Sequence, residues 1–596
     1  MSSIVSAFDE NLKPKRIGEK GHIEYDWSLK PKELITQFFF QLVRTEDTSD
    51  LQKKLIFLLD NLNWEDNEKE LSILYKLISQ TRDMVAGKGD MDNTWFQIEI
   101  WHRYYPDLAY NAFLHCVDYS HSCLNGHQYG SFKDIKYFLA YLNENTIEKQ
   151  AHPLVEKILT NIAMKWLKRD EKLFNENKPV SLCGKWIPRE KSSKRFNWIF
   201  KKLANIMFPD FVIAPENGWR DHEQMKKAQL KQKIHLKKLI VKLSGSNGGS
   251  DTTQVKMAGK DWKNIDFNKV TSITLRKQKN AFLNKTKTAS VKWHLEDRCQ
   301  CAENYKQHIT KALSGDKTAK VHGKRLNVGE LAKDAYSYNE SNDDDNTIRE
   351  TINLQWKSNG ENNKGLENMC IIPMCDTSGS MECDNCIPLN NAIGLSLRIS
   401  EICHPDFRHR LLTFDAYPQW INTEDCKDFV EKAKKVRRSA WGCNTDFHLA
   451  CDKMCESLVE NNIDPKEVKN LVLAVFSDMQ FDCEYHNVGI FDTAYDKIIQ
   501  KFYDAGMKTK YKKPYDPPHI LFWNLRKTKG FPATTFTKNI TFLSGYSSSL
   551  LNVFVTKGLN ELRKTTPFSL LDNLLNIDRY RAMDENISDY LSYIEI

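Results

Sequence analysis

The sequence has no run of about 18 uninterrupted apolar residues, the length that a membrane-spanning helix requires. Its N-terminus, Met1-Ser2-Ser3-Ile4, continues into charged sequence and lacks the apolar core of a secretory signal peptide. The fifteen cysteines are scattered and form no recognisable disulfide framework, so we expect reduced thiols. These absences argue against a membrane partner and predict a cytoplasmic location.

Motifs of the common hydrolytic enzymes are also missing. The chain contains no H-E-x-x-H segment, no ordered Ser/His/Asp set and no paired acids beside an activated nucleophile. Gly87-Lys88-Gly89 lacks the G-x-x-x-x-G-K-[ST] spacing and the preceding buried strand of a phosphate-binding loop. We therefore interpret the chain as a binding protein and not as an enzyme.

Cysteine spacing offers little support for a zinc site. Cys383-Asp384-Asn385-Cys386 is the only C-x-x-C segment, and no second pair completes a known zinc spacing. An alternative zinc site would combine this pair with Cys443, His448, Cys451 or Cys455. Our main interpretation is that these thiols lie in the core or in loops.

Three segments of the chain place oxygen-bearing side chains next to predicted strand or helix ends. The apolar run Cys370 to Cys375 ends in Asp376-Thr377-Ser378-Gly379-Ser380. Thr445 comes just before a helical pattern, and Asp478 follows the apolar run 471–477. Ligands of parallel α/β sheets bind beyond the carboxyl ends of strands, where these side chains would converge. Carboxylate and hydroxyl oxygens are hard ligands that suit Mg²⁺.

The ordered set Asp376, Ser378, Ser380, Thr445 and Asp478 resembles the metal site of the von Willebrand factor A (vWA) domain. The resemblance implies a Mg²⁺ ion, or another divalent cation, that accepts an acidic group from a partner protein. It implies ligation by Ser378, Ser380 and either Thr445 or Asp478, with Asp376 ligating directly or through water. A metal-bound water could hydrolyse phosphoesters, but this hydroxyl-rich set suits carboxylate capture better. The alternative is that the Asp and Ser residues only cap the following helices.

Strands and helices alternate around these segments, which predicts a parallel sheet with helices on both faces. Further short strands are predicted at 410–414, 519–524 and 541–545. We predict a vWA-type, doubly wound α/β domain over residues 367–560, followed by a C-terminal helical extension over 561–596.

The first 365 residues show a different pattern, with few strand signals. Helical periodicity recurs in Pro31–Arg44, Asp50–Leu62, Glu68–Thr81, Thr94–Tyr104, Leu108–Val117 and Phe132–Leu142. Successive amphipathic helices predict a HEAT-like α-helical repeat domain over residues 31–339, although no fixed period is present. We interpret residues 1–30 as an N-terminal tail and the acidic segment 340–366 as a linker. The predicted fold class is therefore α followed by α/β.

Positive charge is concentrated in residues 151–300, which carry 32 Lys and Arg against 14 Asp and Glu, a net charge of +18. Aromatic residues, including Trp186, Phe196 and Trp198, are interleaved with these cations. Phosphate backbones require such cations, and exposed rings stack on unpaired bases. The alternative is a solvated helical face with its tryptophans in the core. The predicted RNA-binding residues are Lys191, Lys194, Arg195, Lys201, Lys202, Lys226, Lys227, Lys231, Lys233, Lys237 and Lys238.

A second resemblance concerns the helical region. Thr81 to Asp90 resembles the Arg…Gly-Lys-Gly segment of TROVE modules, and Tyr129 to Asp134 resembles their Tyr-Gly-x-x-x-Asp segment. With the vWA-like segments, this layout is similar to that of the Ro ribonucleoprotein autoantigen, in which helical repeats bind non-coding RNA. Residues 182–188, 260–265 and 476–482 resemble an uncharacterised TROVE-like family of plants, fungi and giant viruses. Abundant Asn, Lys and Ile would suit the AT-rich genome of a mimivirus-like virus.

The two resemblances together imply a non-enzymatic RNA-binding scaffold with a Mg²⁺-dependent protein-interaction site, located in the host cytoplasm if the chain is viral. The expected partners are a non-coding or structured RNA and a protein that offers an acidic group to the metal. The alternative is a protein–protein adhesion or assembly module without nucleic acid, packaged in a virion.

Overall fold

The computed structural model describes residues 14–145, 151–209, 218–244, 252–285, 295–342, 346–361, 363, 365–414, 417–439, 447–481, 494–552 and 558–594. The chain packs into two compact units. Residues 1–93 and 309–584 form the first, which we name the sheet unit, and residues 94–308 and 585–596 form the second, which we name the helical unit. This division differs from the predicted segments, because the first helices of the chain pack with the sheet.

The sheet unit begins with an antiparallel hairpin of two short strands, β1 (Lys15–Ile17) and β2 (Ile23–Tyr25). Tyr25 also exchanges backbone hydrogen bonds of 2.9 and 3.0 Å with Phe531. The predicted N-terminal tail therefore contains regular structure from Lys15 onward. Strands of three residues show too little alternation for recognition in the sequence.

Helices occupy most of the chain before the large sheet. In chain order they are α1 (Pro31–Gln41), α2 (Ser49–Asn61), α3 (Trp64–Arg82), α4 (Asp92–Tyr104), α5 (Pro106–Val117), α6 (Lys133–Asn145), α7 (Pro153–Ile158), α8 (Lys165–Asn175), α9 (Cys183–Trp186), α10 (Lys194–Met207), α11 (Gly218–Ser244), α12 (Thr253–Ala258), α13 (Ser272–Phe282), α14 (Glu296–Leu313), α15 (Val328–Tyr336) and α16 (Thr347–Gly360). All six segments with helical periodicity are confirmed as helices, with shifted ends. The predicted helical N-terminal region is therefore confirmed.

The main sheet has six strands, named in chain order β3 (Cys370–Asp376), β4 (Arg410–Phe414), β5 (Gln419–Asn422), β6 (Leu471–Ser477), β7 (His519–Asn524) and β8 (Ile540–Ser544). Their spatial order is β5-β4-β3-β6-β7-β8. Neighbouring strands are parallel except for β4 and β5, which pair antiparallel. The predicted combination of helices with a mostly parallel sheet is confirmed.

Helices follow and separate these strands: α17 (Cys383–Ile402), α18 (Phe429–Ser439), α19 (Phe447–Glu460), α20 (Pro465–Lys469), α21 (Ala494–Lys508), α22 (Leu559–Leu562), α23 (Pro567–Leu575) and α24 (Arg581–Ile594). Side chains on both faces of the sheet are buried. On one face Met374 and Val475 pack with Phe447 of α19. On the opposite face the thiol of Cys375 lies beside the hydroxyl of Ser396 on α17.

Helix α1 completes the sheet unit beside the edge strand β8. The rings of Phe40 and Phe542 stack with centroids 4.4 Å apart. The side-chain amide of Asn524 donates a 3.0 Å hydrogen bond to the Phe40 carbonyl, which the end of the helix leaves free. The N-terminal helices therefore contribute to the core that positions the edge of the sheet.

The predicted acidic linker, 340–366, contains helix α16. The indole of Trp356 stacks on the ring of Phe429 with centroids 3.8 Å apart. The guanidinium carbon of Arg398 lies 3.6 Å from the centroid of the Trp356 ring. These contacts anchor α16 in the sheet unit. The linker prediction followed the acidic stretch that lies next to the amphipathic pattern of α16 in the sequence. Across the described residues, the helices are too short or too polar to cross a membrane.

Candidate functional site

The carboxyl ends of β3 and β6 bring the predicted acidic and hydroxyl residues together. Asp376 is the last residue of β3 and is fully buried. Its carboxylate accepts a 3.0 Å hydrogen bond from the backbone N–H of Ser378 and another from the hydroxyl of Ser477. The hydroxyl oxygens of Ser378 and Ser380 are 3.1 Å apart. A carboxylate and two hydroxyls thus meet where the sequence predicted a metal site.

Asp478 follows β6 and is also fully buried. One carboxylate oxygen accepts the backbone N–H of Gln480 at 3.1 Å, and the other accepts the Nε of Arg526 at 2.9 Å. Arg526 also donates from Nη2 to Glu19 at 2.7 Å. The guanidinium therefore links the acidic cluster to the turn between β1 and β2.

Electrostatic repulsion is concentrated on Asp376. Burial, followed by the charge of Asp478, raises the pKa of Asp376 to about 7. Burial alone would lower the pKa of Arg526, but Asp478 and Glu19 raise it above its ordinary value. Because the buried carboxylates of Asp376 and Asp478 repel each other and the guanidinium of Arg526 pairs with Asp478, the cluster would be stabilised by a further cation.

The donor set of this cluster fits a hard divalent cation. Asp376, Ser378, Ser380 and Asp478 offer carboxylate and hydroxyl oxygens, which Mg²⁺ prefers. Thr445, the fifth predicted ligand, lies outside the described residues. Within the described residues, His, Cys, Asp and Glu side chains form no group of three that could hold a metal, so a cation here would depend on the serine hydroxyls.

The same observation bears on the alternative zinc site. Among the described residues, Cys383 and Cys386 form no three-ligand group with His448, Cys451 or Cys455. Cys443, the fourth candidate partner, lies outside the described residues. Cys383 and Cys386 are half-buried, and burial raises the pKa of the Cys383 thiol. The charges of Arg526 and Asp478 also act on the Cys383 thiol, which places it near the acidic cluster.

The turn after Ser380 has an unusual backbone. Asp384, Asn385 and Cys386 have φ values of 50°, 59° and 61°, in the left-handed region that glycine favours. Such a conformation costs about 1–2 kcal/mol for each ordinary residue. The regular part of α17 begins only beyond this turn.

The hairpin of β1 and β2 forms one wall of the cluster. The backbone N–H of Glu19 donates to the side-chain carbonyl of Gln480 at 2.7 Å. The Gln480 amide in turn donates to Glu24 at 3.3 Å, and Glu24 is paired with Arg16 at 3.2 Å. Sequence reasoning missed this wall. Its only signals were Glu19, which lies in a turn flanked by Gly18 and Gly21, and Glu24 a few residues later.

The first TROVE-like segment, Thr81 to Asp90, lies in the sheet unit and packs tightly. Buried Asp83 accepts two hydrogen bonds of 2.6 Å from the guanidinium of Arg579. A Cβ atom on Gly87 would collide with the backbone carbonyl of Gln80, so the loop returns against α3 only because this residue is glycine.

Lys88 of the same segment is buried, and its ammonium group donates to backbone carbonyls at the end of α1. The distances from Nζ are 2.7 Å to the Phe39 oxygen, 2.9 Å to the Leu42 oxygen and 2.6 Å to the Ser544 hydroxyl. A cation at the C-terminus of a helix satisfies free carbonyls and interacts favourably with the helix dipole. Lys88 therefore ties the loop to α1 and β8.

We expect Lys88→Met to lower the free energy of unfolding by about 2 kcal/mol, because the buried Leu42 carbonyl loses its donor. The Phe39 carbonyl keeps a 2.8 Å hydrogen bond from Ser544 and limits the loss. Urea unfolding measures the change, with the exposed Lys53→Met as control. An undiminished stability combined with weaker RNA binding would contradict the structural role of Lys88.

The second TROVE-like segment, Tyr129 to Asp134, starts α6 in the helical unit. Tyr129 is buried, and its backbone N–H donates to the His115 carbonyl at 3.1 Å. The carboxylate of Asp134 accepts the backbone N–H of Ser131 at 3.1 Å, which fixes the first turn. The segment therefore forms the start of α6.

The predicted RNA-binding residues lie mostly on α10 and α11, which pack against each other in the helical unit. Lys202 and Lys233 are half-buried, and the other nine are exposed: Lys191, Lys194, Arg195, Lys201, Lys226, Lys227, Lys231, Lys237 and Lys238. The opposite face of α11 buries Leu236, Ile240 and Leu243. This separation gives the helical unit a basic surface.

Two family models match the chain. Residues 370–580 match a domain of unknown function, DUF7788, and residues 160–361 match another, DUF2828. The first range contains the acidic cluster, and the second contains α10 and α11. The chain is also similar to Uncharacterized protein L728 of Acanthamoeba polyphaga mimivirus, with 26% identity over 553 residues, which cover 90% of this chain and 84% of the relative. The predicted relationship to a giant-virus protein is confirmed.

Proposed function

We propose that the chain is a non-enzymatic RNA-binding scaffold that also captures an acidic group of a partner protein through a divalent cation. The observation that carries the proposal is the convergence of Asp376, Ser378, Ser380 and Asp478 at the carboxyl edge of the sheet. The vWA and TROVE resemblances of the sequence support the same combination. A viral member would act in the host cytoplasm or in the virion.

In the sheet unit, Ser378 and Ser380 would hold Mg²⁺ through their hydroxyls, and Asp376 and Asp478 would supply compensating charge. The ion, when bound, offers a coordination position to an oxygen of the partner. The chain already places one acidic side chain at this edge, because Glu19 lies 2.7 Å from the Arg526 guanidinium. The positive charge of Arg526 therefore favours an acidic group beside the cluster.

In the helical unit, the exposed lysines would contact RNA phosphates. Release of condensed counterions would then make the affinity strongly salt-dependent. Lys226, Lys227 and Lys231 lie within two turns of α11 and have exposed ammonium groups. Their spacing on a single helix suits a run of phosphates along one strand.

The first test is binding of the purified chain to a hairpin RNA with a single-stranded 3′ tail, titrated with salt. We expect Lys226, Lys227 and Lys231 changed together to Gln to reduce the slope of log K against log salt by about 2, since each contact contributes about 0.7. A matched control changes the exposed Lys510, Lys512 and Lys513 of the sheet unit. Absence of RNA binding by the wild type, even at low salt, would exclude the RNA-binding part of the proposal.

A protein-assembly module without nucleic acid is the second candidate. It is favoured by the exposed aliphatic side chains of Leu230, Ile234 and Val241, which interrupt the basic surface of α11. Phosphates gain nothing from aliphatic groups, whereas an acidic protein surface with apolar residues would contact both. The RNA titration separates the two candidates, because only the protein-assembly module predicts that the chain does not bind RNA at low salt.

A further inference from the structure

An unusual group of aromatic and basic side chains lies where α6, α9 and α10 meet in the helical unit. The ammonium nitrogen of Lys136 is 5.0 Å from the ring centroids of both Tyr137 and Trp186, and 5.4 Å from that of Phe196. The rings of Tyr137 and Phe196 also contact each other edge to face at 5.4 Å. These aromatic residues are half-buried, so part of each ring reaches the surface.

A second lysine lies on the same indole. The ammonium nitrogen of Lys185 is 5.4 Å from the centroid of Trp186 and donates a 2.9 Å hydrogen bond to the neutral side chain of Gln254. Within the part of the chain that the structure describes, neither Lys185 nor Lys136 forms an ion pair with a carboxylate. Burial lowers the pKa of both lysines. A desolvated cation without a counter-ion is unfavourable, so both positions favour an anion.

The segment 182–188, which the sequence singled out, builds this arrangement. Cys183 and Gly184 are buried, and a Cβ atom on Gly184 would lie 3.0 Å from the Leu243 side chain of α11. The guanidinium of Arg189 holds the Gly184 carbonyl at 3.1 Å. Close packing of α9 on α11 therefore leaves the next two residues, Lys185 and Trp186, in half-exposed positions.

The chemistry of the group distinguishes between ligands. The guanidinium of Arg195 lies 5.4 Å from the centroid of Phe196 but is paired with Glu144 at 2.7 Å, so it does not offer both of its N–H groups to a carboxylate ligand. Lysines bind phosphate as point charges, and an indole stacks on any nucleobase. The flexible stems of Lys136 and Lys185 allow their ammonium groups to move from the ring to a phosphate when a base stacks.

We infer that Trp186, Lys136 and Lys185 form a binding site for an unpaired nucleotide of RNA, with the base on the indole and the flanking phosphates on the two ammonium groups. The inference rests on the proposed RNA-binding function and adds the preference for single strands. A duplex keeps its bases stacked inside the helix and offers none to Trp186.

The test compares a single-stranded RNA of about twelve nucleotides, a length that such sites accommodate, with a blunt duplex of the same sequence. We expect Trp186→Leu to weaken single-strand binding at least about fivefold, the lower limit for loss of one stacked base. The double variant Lys136→Gln/Lys185→Gln should show a similar loss. Duplex affinity should stay unchanged in both.

Matched controls exist in the same unit. Trp262 carries the Arg298 guanidinium 3.4 Å from its ring, and Lys157 lies 4.4 Å from Tyr110 but is paired with Asp107. Trp262→Leu and Lys157→Gln should leave single-strand affinity unaltered. Thermal melting verifies that each variant is folded.

Photocrosslinking of the wild-type chain to 4-thiouridine RNA gives a second readout that needs no variant. We expect crosslinks on the peptide that contains Trp186 or Phe196. Crosslinks confined to α11, or unchanged affinity in folded Trp186→Leu, would overturn this site while leaving RNA binding intact. No wild-type binding to either RNA would remove both the site and the proposed function.

Discussion

Asn in place of Asp376 is expected to abolish the stabilisation of the chain by Mg²⁺. A ligand that binds only the folded state at a hundredfold excess over its Kd adds about 2.7 kcal/mol to the free energy of unfolding. The wild type should show this gain when Mg²⁺ replaces a chelator, and the variant should show none. The loss follows because a neutral amide cannot supply the charge that a divalent cation requires.

The metal-free protein gives a second readout of the same change. With its pKa raised to about 7, Asp376 is protonated in the folded chain at pH values where the unfolded chain has already ionised it. In chelator, Asp376 therefore contributes a loss of stability to the wild type as the pH rises from about 4 to about 7. Asp376→Asn removes this loss, so its stability relative to the wild type should be higher near pH 8 than near pH 4.

Asp452→Asn provides the control for Asp376, since Asp452 lies in the same unit and pairs with Lys501 away from the cluster. It should leave the response to Mg²⁺ intact. An Asp376→Asn variant that still gains stability from Mg²⁺ would favour the simpler alternative, in which Asp376 and Ser378 only organise the turn after β3.

Replacing Arg526 by Met should produce the largest loss of stability. The fully buried carboxylate of Asp478 would lose its guanidinium partner, and breaking a buried pair in this way costs about 3–5 kcal/mol. Urea unfolding in chelator measures the loss. We expect Mg²⁺ to restore part of it, because an ion held by Ser378 and Ser380 would supply positive charge to the same carboxylates.

The control for this variant is Arg438→Met, an exposed position on α18, which should change stability by less than about 0.5 kcal/mol. Equal destabilisation by Arg526→Met with and without Mg²⁺ would indicate that the guanidinium and the ion do not supply positive charge to the same carboxylates. It would leave Arg526 as a purely structural link to Glu19.

The sequence predicted the parts of the cluster that follow apolar runs. Asp376 and Asp478 were recognisable because β3 and β6 are buried on both faces and therefore read as continuous apolar segments. Ser477 was missed although it directly precedes Asp478, because an isolated serine at the end of a strand carries no pattern. Thr445 remains a prediction.

Arg526 and Glu19 could not be predicted, since their contact joins residues far apart in the chain and neither belongs to a spaced motif. The Gly-Lys-Gly segment posed the opposite difficulty. Its residues are distinctive in the sequence, but two of the three hydrogen bonds of Lys88 are to backbone carbonyls, which no side-chain pattern records. The prediction of the site was therefore limited more by contacts between distant residues and by contacts with the backbone than by the assignment of helices and strands.

The sheet unit is assembled from two stretches of chain, 1–93 and 309–584. During synthesis the first stretch leaves the ribosome long before β3, β6 and β8 exist. Until then α1 lacks the Phe542 ring on which it stacks, and Lys88 lacks the Ser544 hydroxyl. Such distant pairings are slow to form. We therefore expect the sheet unit to mature only after translation has passed β8, with the N-terminal helices open to chaperones meanwhile.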